Sequence, residues 1–560
     1  MVVLAIALIV IFKPLQFQQK KLEKTIAILP PHNWESNDTT AIDGILQNVR
    51  DNLCILKDMK KVVPWLSVLQ YRNKVTPASV IAKELKVNYI IKPVVRTING
   101  KTYLSIPLID GINDKLLRPA NFEIDSNNIT TVHQEILKEI VDELDISITS
   151  TEKGKIDKLI TSNKKARDYY WKGIELLNLW NIGKKIDFQE AITCFENAVE
   201  YDNECAPAYA QLARTYFIYY YNGPYVISVM AGEKIFSKQI NNYADKALRY
   251  DSESDLSLLA KAIYYKYEED YEMAIFYLEN ALEYNPNSYL VIWYLCAVYI
   301  DLGDTEKFIE FALNAVNSDF PENKNSMGIG KEYIYLQLGK AYRKMGFFDE
   351  ALMYINLGIE SNPDHTGLIN EKSQVIIDLY GDYEQSKKFL LDFTQKDSSN
   401  INANNFLALD FYILGDFTSA LYYFNKNTKV RDIKNLHSNI WGPILSRLAA
   451  IYIAKGETEK AQDFIDACIL WAEIRKPQQK NYMLIRIYSL KGEKAKAIEQ
   501  MKICSQYNIP WYQIRLFTDE PIYDNIRELP EFKKILLEME RKWRERRDSI
   551  KVVYEKKGLL

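Results

Sequence analysis

The sequence has few of the residues that hold metal ions or form disulfide frameworks. Its four histidines lie far from one another and from any cysteine: His32, His133, His365 and His437. The six cysteines form no CxxC pair and have no regular spacing: Cys54, Cys194, Cys205, Cys296, Cys468 and Cys504. Because zinc sites and disulfide frameworks are built from such patterns, we expect neither, and we expect most cysteines to be small core residues.

The sequence also lacks an excess of positive charge. Its formal net charge is -3 at pH 7 and its pI is near 6.1. A protein that neutralises nucleic-acid phosphates needs an excess of Lys and Arg, so direct nucleic-acid binding by this chain is not predicted. Disorder is not expected either, because 48% of the 560 residues are apolar.

The motifs of the common catalytic sites are missing as well. The sequence contains neither GxxxxGK[ST] nor GxGxxG, and it has no GxSxG elbow, HExxH helix or kinase catalytic loop. The segment SMGIGKEY (326–333) has two glycines and a lysine but not the spacing of a phosphate loop. The carboxylate pair Glu268-Glu269 fits a solvated helix face. We therefore predict that the protein is not an enzyme and has no catalytic, cofactor-binding or metal-binding residues.

Long apolar runs are limited to one at the start of the chain. Residues 1–12, MVVLAIALIVIF, are uninterruptedly apolar, whereas a membrane-spanning helix needs about 20 residues. A secretory signal would open with basic residues and end with small ones, but Lys13-Pro14 follows this run directly. We interpret it as a membrane-anchor segment whose upstream part is missing. An apolar strand or a buried helix is the alternative.

Residues 25–148 alternate between strand-like and helix-like segments, which is typical of an α/β domain. Asn99-Gly100 lies between two β-rich runs and favours a tight hairpin, because both residues adopt positive φ readily. The predicted strands are 25–31 and 61–71 and the two runs within 87–110; the predicted helices are 41–59, 77–86 and 130–146.

Three of these segments resemble the TolB-like N-terminal domain that precedes tetratricopeptide arrays in bacterial regulators and cyclases. They are IAILPP, VIAKELKVNYIIKPVVRTINGKTYLSIPLID and HQEILKEIVDEL. In the family, they correspond to a strand ending in Leu-Pro, a helix leading into a strand hairpin, and a terminal amphipathic helix. This chain departs from the pattern at Pro31-His32, where relatives place an aromatic residue.

From about residue 165 to 507 the chain repeats itself at intervals near 34 residues, the length of a tetratricopeptide hairpin. An aromatic residue recurs near the end of each first helix: Tyr216, Tyr265, Tyr299, Tyr342, Phe411, Tyr452 and Tyr488. A small residue recurs early in the second helix: Ala191, Ala274, Ala351, Ala420, Ala461 and Ala497. A glycine marks the turn between them: Gly303, Gly346, Gly381, Gly415, Gly456 and Gly492. We predict that these glycines end the first helix at positive φ.

The repeat array has a recognisable start, two irregularities and an end. Residues 166–216 resemble the opening repeat that follows a TolB-like domain. The second repeat is lengthened over 217–243, and 318–331 form a polar loop. Such insertions either contact a partner or pack as a lengthened helix pair on their neighbour. Residues 508–547 resemble the helices that cap such arrays, and the mixed-charge tail 548–560 fits solvated helix.

The predicted fold class is mainly α: a tetratricopeptide α-solenoid preceded by a small TolB-like α/β domain and an apolar membrane segment. This arrangement predicts a non-enzymatic, protein-binding scaffold, a membrane-tethered sensor or adaptor with a protein or peptide ligand in the solenoid groove. The alternative is the sensory portion of a membrane-associated transcriptional regulator whose DNA-binding domain is missing from this chain. An enzyme with an unfamiliar site is a third hypothesis.

The sequence leaves the binding residues and the membrane orientation open. Trp171, Lys172 and Arg214 are the nearest candidates for a clamp on a partner's terminal carboxylate, but they are too few to define a site. Lys13, Lys20, Lys21 and Lys24 favour a cytoplasmic location for the soluble part. The family resemblance implies instead an inner-membrane protein with its soluble part in the periplasm, and we follow it.

Overall fold

The structure is a computed structural model that describes residues 22–31, 40–72, 74–125, 131–156, 160–181, 184–225, 232–317, 331–396, 400–427 and 442–560. The chain divides into two compact units. The first comprises residues 1–179, 185–298 and 318–321, and the second comprises 180–184, 299–317 and 322–560. The apolar run 1–12, the loop around His32 and most of the polar loop 318–331 lie outside the described residues.

The first unit begins with an α/β region. Its strands are β1 (Thr25–Ile28), β2 (Lys61–Val62), β3 (Tyr89–Ile91), β4 (Val94–Ile98), β5 (Lys101–Asp110) and β6 (Lys115–Ile124). Its helices are α1 (Thr40–Ile55), α2 (Trp65–Val68), α3 (Ala78–Leu85), α4 (Val132–Glu143) and α5 (Ser150–Ile156). An N-terminal α/β region is therefore present, as the alternating pattern predicts.

One mixed sheet forms the centre of this region. Strand β1 pairs in parallel with β2 and β3, and β3 pairs antiparallel with β5, which also pairs antiparallel with β4 and β6. Asn99 (φ 53°) and Gly100 (φ 79°) join β4 to β5, so the predicted tight hairpin is confirmed. Residues from β1, α1 and α4, such as Ile26, Leu46 and Ile136, are fully buried together in the core.

Three local predictions in this region are wrong or incomplete. The predicted strand 61–71 ends at Val62, because Pro64 terminates it and α2 and a 3-10 turn (69–71) follow. The sequence reasoning missed β6, whose hydrophobic alternation is weak and whose Pro119 suits only an edge strand. It also missed the short helix α5.

Helical hairpins make up the rest of the first unit and most of the second. The helices from α6 to α13 are α6 (Lys164–Asn181), α7 (Phe188–Tyr201), α8 (Ala206–Asn222), α9 (Ser237–Tyr250), α10 (Asp255–Tyr267), α11 (Tyr271–Tyr284), α12 (Tyr289–Leu302) and α13 (Thr305–Asn317). Those from α14 to α19 are α14 (Lys331–Met345), α15 (Phe348–Ser361), α16 (Thr366–Tyr380), α17 (Tyr383–Lys396), α18 (Ile401–Ile413) and α19 (Phe417–Asn427). The last are α20 (Gly442–Ala454), α21 (Thr458–Glu473), α22 (Pro477–Leu490) and α23 (Lys494–Cys504). Even-numbered helices are the first of each hairpin.

The three markers of the repeat are confirmed. All six turn glycines have φ between 69° and 87°, and all six marker alanines are buried. In five hairpins the marker aromatic stacks on an aromatic residue twelve positions later, with ring centroids 5.5 Å apart: Tyr265–Tyr277, Tyr299–Phe311, Tyr342–Tyr354, Phe411–Tyr423 and Tyr452–Phe464. The buried alanine and the stacked ring pair thus hold the two helices of the hairpin against each other.

The lengthened second repeat packs on its own hairpin in the part that is described. The ring of Phe236 lies 5.2 Å from that of Tyr216 and 5.1 Å from that of Tyr225, and the hydroxyl of Tyr220 donates to the carbonyl of Glu233 at 2.8 Å. These contacts favour a packed helix pair over a free loop. Residues 226–231 lie outside the described part.

The second unit ends in α24 (Trp511–Asp519), α25 (Asp524–Arg527) and α26 (Pro530–Lys557). Helix α26 packs along the earlier hairpin α14–α15, where the ring of Trp543 stacks on Phe348 at 6.2 Å. The tail 548–560 is helical to Lys557 and most of its residues are exposed, as predicted, but Tyr554 and Leu559 are buried. Tyr554 is 4% exposed, and the hydroxyl of Tyr342 donates to the carbonyl of Leu559 at 2.6 Å.

All six cysteines are buried and unpaired, as small core residues should be. Among the described residues, none of the helices is both long and apolar enough to cross a membrane.

Candidate functional site

The first helices of successive hairpins line one face of the repeats, which we call the first-helix face. In the first unit, α1 of the α/β region lies against this face. Gly44 of α1 sits so close to Trp171 of α6 that a Cβ atom there would lie 2.8 Å from the indole ring. The side-chain amide of Asn178 donates to Gln47 at 3.3 Å.

The same region also contacts the start of α12 and the end of α11. The guanidinium of Arg50 lies 5.3 Å from the ring of Tyr289 in α12, and the amide of Asn287 donates to the carbonyl of Cys54 at 3.1 Å. Lys155 of α5 donates to the carbonyl of Tyr284 at 3.1 Å. Helix α1 therefore contacts α6 and the start of α12 on the first-helix face of this unit.

This arrangement accounts for the three residues that the sequence offered for a carboxylate clamp. Trp171 is buried under α1. Lys172 forms an ion pair with Glu190 at 3.3 Å. Arg214 is 5% exposed and donates to the side chain of Gln211 at 3.2 Å. They contribute to packing within the unit and do not converge on a free groove.

In the second unit, the first-helix face contains a cavity of about 660 Å³. Four first helices line it, α16, α18, α20 and α22, together with Tyr383 of α17 and Trp471 of α21, and α24 closes one side. The apolar part of the lining is Ile377, Phe406, Leu409, Pro443, Trp471, Met483, Pro510 and Leu516. The polar part is Gln374, Asp378, Tyr383, Arg447, Arg475, Gln478, Gln479, Tyr482, Tyr512, Gln513 and Arg515. Its volume and mixed lining are typical of a ligand-binding site.

Helix α24 is fixed to α16 by hydrogen bonds to one carbonyl. The indole of Trp511 and the guanidinium of Arg515 donate to the main-chain oxygen of Asp378 at 3.3 and 3.4 Å. The hydroxyl of Tyr383 donates to Asp519 at 2.7 Å. The wall of the cavity that α24 supplies is therefore held in place by directed polar contacts.

Arg447 of the cavity lining belongs to a buried ionic network. Glu520 is fully buried and accepts from Arg447 at 2.5 Å and from Arg486. Burial alone would raise the pKa of Glu520, but the two guanidinium groups outweigh it and hold that pKa below its ordinary value. Arg486 also donates to Ser446 at 2.7 Å. One carboxylate thus serves two cations, which leaves the network with one positive charge.

The other charged groups of the lining differ in how they are compensated. Asp378 pairs with Arg343 at 2.6 Å, and Arg515 pairs with Asp519 at 3.0 Å. Arg475 has no carboxylate within ion-pair distance among the described residues, and its buried Nε has no acceptor. Its guanidinium lies on the face of Trp471, 4.7 Å from the ring. The stack holds this cation at the cavity wall.

The sequence did not reveal this site, since its residues come from seven helices between Gln374 and Leu516. The repeated turn glycines and aromatic residues do locate the first helices in the sequence. They do not show which residues of those helices face a cavity. The described residues hold no cluster of three or more His, Cys, Asp or Glu side chains suited to a metal ion.

Comparison with known proteins identifies the repeat. The tetratricopeptide repeat family model matches residues 257–288 and 333–365, which correspond to hairpins α10–α11 and α14–α15. No curated protein sequence is significantly similar to the chain. The chain thus contains tetratricopeptide repeats, and such repeats imply a scaffold for protein–protein interaction.

Solved structures of tetratricopeptide proteins are similar to parts of the chain. YrrB, described as a protein with an unusual peptide-binding site, is 15% identical over 34% of this chain and 92% of its own, with a TM-score of 0.27. A repeat protein from Parabacteroides merdae is 15% identical over 51% of this chain and 98% of its own (TM-score 0.36). The Cut9-Hcn1 structure is 13% identical over 63% of this chain and 59% of its own (TM-score 0.39). All three TM-scores are below 0.5, so no property of those proteins is carried over.

Proposed function

We propose that this protein is a non-enzymatic scaffold that holds a peptide segment of a partner protein in the cavity of the second unit. The observation that carries the proposal is the contrast within the first-helix face. Helix α1 lies against α6 and the start of α12 on this face in the first unit, whereas in the second unit the face contains a cavity of about 660 Å³.

The lining suits a peptide better than a reacting small molecule. Four glutamine side chains, Gln374, Gln478, Gln479 and Gln513, offer amides that can both donate to and accept from a peptide backbone. Phe406, Leu409 and Met483 offer apolar surface for its side chains. This combination provides backbone hydrogen bonds together with apolar anchors, as peptide-recognition sites generally do.

Selection from a random peptide library on the immobilised full-length protein tests this function. Gln479→Trp should fill the cavity and weaken the selected peptides by more than about tenfold, which corresponds to about 1.4 kcal/mol. Gln462→Trp is the matched control, because Gln462 is exposed on α21 and does not line the cavity. Failure to select any peptide, or equal binding to both variants, would disprove the proposal.

We further propose that the scaffold is tethered to the inner membrane as a sensor or adaptor, with its soluble part in the periplasm. The apolar run 1–12 and the resemblance of 25–148 to TolB-like domains support this. Cells producing the full chain should retain it in the membrane fraction, and deletion of residues 1–12 should release it. A reporter fused after Leu560 that is active only when exported should be active.

The sensory portion of a membrane-associated transcriptional regulator is the alternative form of this proposal. It is distinguished by the genomic sequence upstream of Met1. An in-frame membrane helix and DNA-binding module there would establish the regulator and exclude the stand-alone adaptor.

A further inference from the structure

The cavity of the second unit has an uncompensated positive charge on its wall. Arg475 is stacked on Trp471 and has no carboxylate partner among the described residues. Asp378, the one acidic residue of the lining, pairs with Arg343, which also pairs with Glu371. Arg447 shares the single carboxylate of Glu520 with Arg486. The lining is therefore electrostatically complementary to a small anionic group.

Helix α22 adds to this charge at the same place. It begins at Pro477, two residues after Arg475, and its N-cap residue Lys476 makes no side-chain cap. Gln478 and Gln479, in its first turn, line the cavity, and their backbone N–H groups have no acceptor in the described part of the chain. Uncapped N–H groups at a helix start carry a partial positive charge and bind anions.

Helix α24 presents a second uncapped start to the cavity. Its N-cap residue Pro510 makes no side-chain cap and lines the cavity together with Tyr512. The N–H groups of Trp511 and Tyr512 likewise have no acceptor within the described ranges. Two helix starts and one unpaired guanidinium thus border the same cavity.

The amount of charge indicates which anion fits. The charged groups at the cavity leave one net positive charge: Arg475 and the Glu520 network contribute one each, and Arg343, shared between Asp378 and Glu371, leaves one negative charge. One net positive charge matches the single charge of a carboxylate, whereas a phosphate with nearly two charges would call for further unpaired cations. Apolar surface from Phe406, Leu409 and Met483 lies in the same cavity. A suitable ligand therefore combines a carboxylate with a neighbouring apolar side chain.

We propose that the cavity selects a partner segment in which an Asp or Glu side chain stands next to an apolar residue. The carboxylate binds at Arg475 and the start of α22, and the apolar side chain packs against Phe406 and Leu409. This inference rests on the proposed peptide-binding function and specifies its ligand. The surrounding glutamines bond to the backbone on either side of the acidic residue, so the charge comes from a side chain and not from a chain terminus.

The test uses peptides selected from a random library on the full-length protein. Selected peptides should be enriched in an acidic residue beside an apolar one. Replacing that residue in a synthetic peptide, Glu by Gln, should weaken binding about tenfold or more. Amidation of the peptide's C-terminus should leave its affinity unchanged, and affinity should fall as salt is raised.

Substitutions of Arg475 test whether this residue causes the preference for acidic peptides. Arg475→Gln should weaken the acidic peptide about tenfold while leaving the affinity of its Gln analogue unchanged, and Arg475→Lys should restore part of the difference. Lys480→Gln is the control, since it removes one positive charge from α22 at a position that does not line the cavity.

The outcomes separate this inference from the proposed function. If peptides bind in the cavity without an acidic preference, the inference is wrong and the scaffold function stands. If amidation weakens binding and the Glu-to-Gln change does not, the negative charge that binds comes from the peptide's C-terminus. If phosphorylated peptides bind better, that charge comes from a phosphate group. Either outcome contradicts the inference. If no peptide binds, the proposed function itself fails.

Discussion

The two units of this protein use the same face of the same repeat in different ways. In the first unit, α1 of the α/β region lies on the first-helix face, with Gly44 against Trp171 and Arg50 against Tyr289. In the second unit, the corresponding face lines a cavity whose side is closed by α24. The first helices therefore form a similar face in both units, and the helix that packs on this face determines whether a cavity remains.

The chemistry of the two faces differs accordingly. Where α1 covers the face, Trp171 is buried by a backbone that approaches closely at a glycine. Where the cavity remains, Trp471 is only partly buried and its ring carries the cation of Arg475. The same residue type is a packing element in one unit and a support for a binding group in the other.

The largest difference in stability is expected between two single variants, Trp171→Ala in the first unit and Trp471→Ala in the second. Trp171→Ala should lower the free energy of unfolding by about 4 kcal/mol, because it leaves a cavity under α1. Trp471→Ala should cost roughly half as much, since one face of this ring already borders a cavity, but it should weaken peptide binding. Urea unfolding followed by far-UV circular dichroism measures both. Equal losses would contradict the difference between the two faces.

The next largest loss of stability is expected when the ionic network of Arg447, Arg486 and Glu520 is changed. Glu520→Gln leaves Arg447 and Arg486 buried against a neutral amide and should cost about 3 kcal/mol. Asp519→Asn is the control, because Asp519 is partly exposed, and it should cost about 1 kcal/mol or less. The same urea experiment compares the two. A cost for Glu520→Gln no larger than that of the control would show that the network does not maintain the cavity.

A buried carboxyl behind the cavity gives the second unit a pH dependence. Asp410 is fully buried and accepts from Ser386 at 2.6 Å, with Lys387 and Glu384 as charged neighbours; burial raises its pKa to about 8. The folded state thus keeps a proton that the unfolded chain loses above its ordinary pKa of 3.8. Stability contributed by this proton is complete below that value and is lost as pH rises toward about 8.

Because of Asp410, the free energy of unfolding should fall by about 1.4 kcal/mol for each pH unit as the pH rises from 3.8 to about 8. Asp410→Asn keeps the shape, cannot ionise and should remove this slope. Unfolding free energies of the two proteins, measured between about pH 5 and about pH 8, provide the check. Parallel profiles would mean that Asp410 is ionised in the folded protein.

The smallest expected effect concerns the C-terminal helix α26, which covers part of the second unit as α1 covers part of the first. Gly456 and Gly346 both have positive φ, so alanine at either should cost about 1 kcal/mol in backbone strain. At Gly346 a Cβ atom would also lie 2.4 Å from Trp543 of α26, whereas at Gly456 no atom lies within 4 Å. Gly346→Ala should therefore destabilise more than Gly456→Ala. Equal unfolding midpoints would contradict the packing of α26 on this turn.

Sequence reasoning located the hairpins well because each turn repeats the same local requirement. A glycine such as Gly415 must adopt positive φ, and an alanine such as Ala420 must allow close helix approach. It failed at 61–71, where a β-rich composition hid the effect of Pro64, and at β6, which is stabilised by pairing with β5. It also missed the cavity, because Arg475 and Gln374 have no local pattern that marks them.

The sequence by itself determined the helical hairpins, their turns and the α/β region in front of them, because these depend on periodicity and on residues close in the chain. Only the tertiary structure decided which first-helix face is covered and which retains a cavity. That outcome depends on contacts between residues far apart, Gly44 with Trp171 and Trp511 with Asp378. Whether Arg475 has a counter-ion is likewise decided by its neighbours in space, which no interval along the chain specifies.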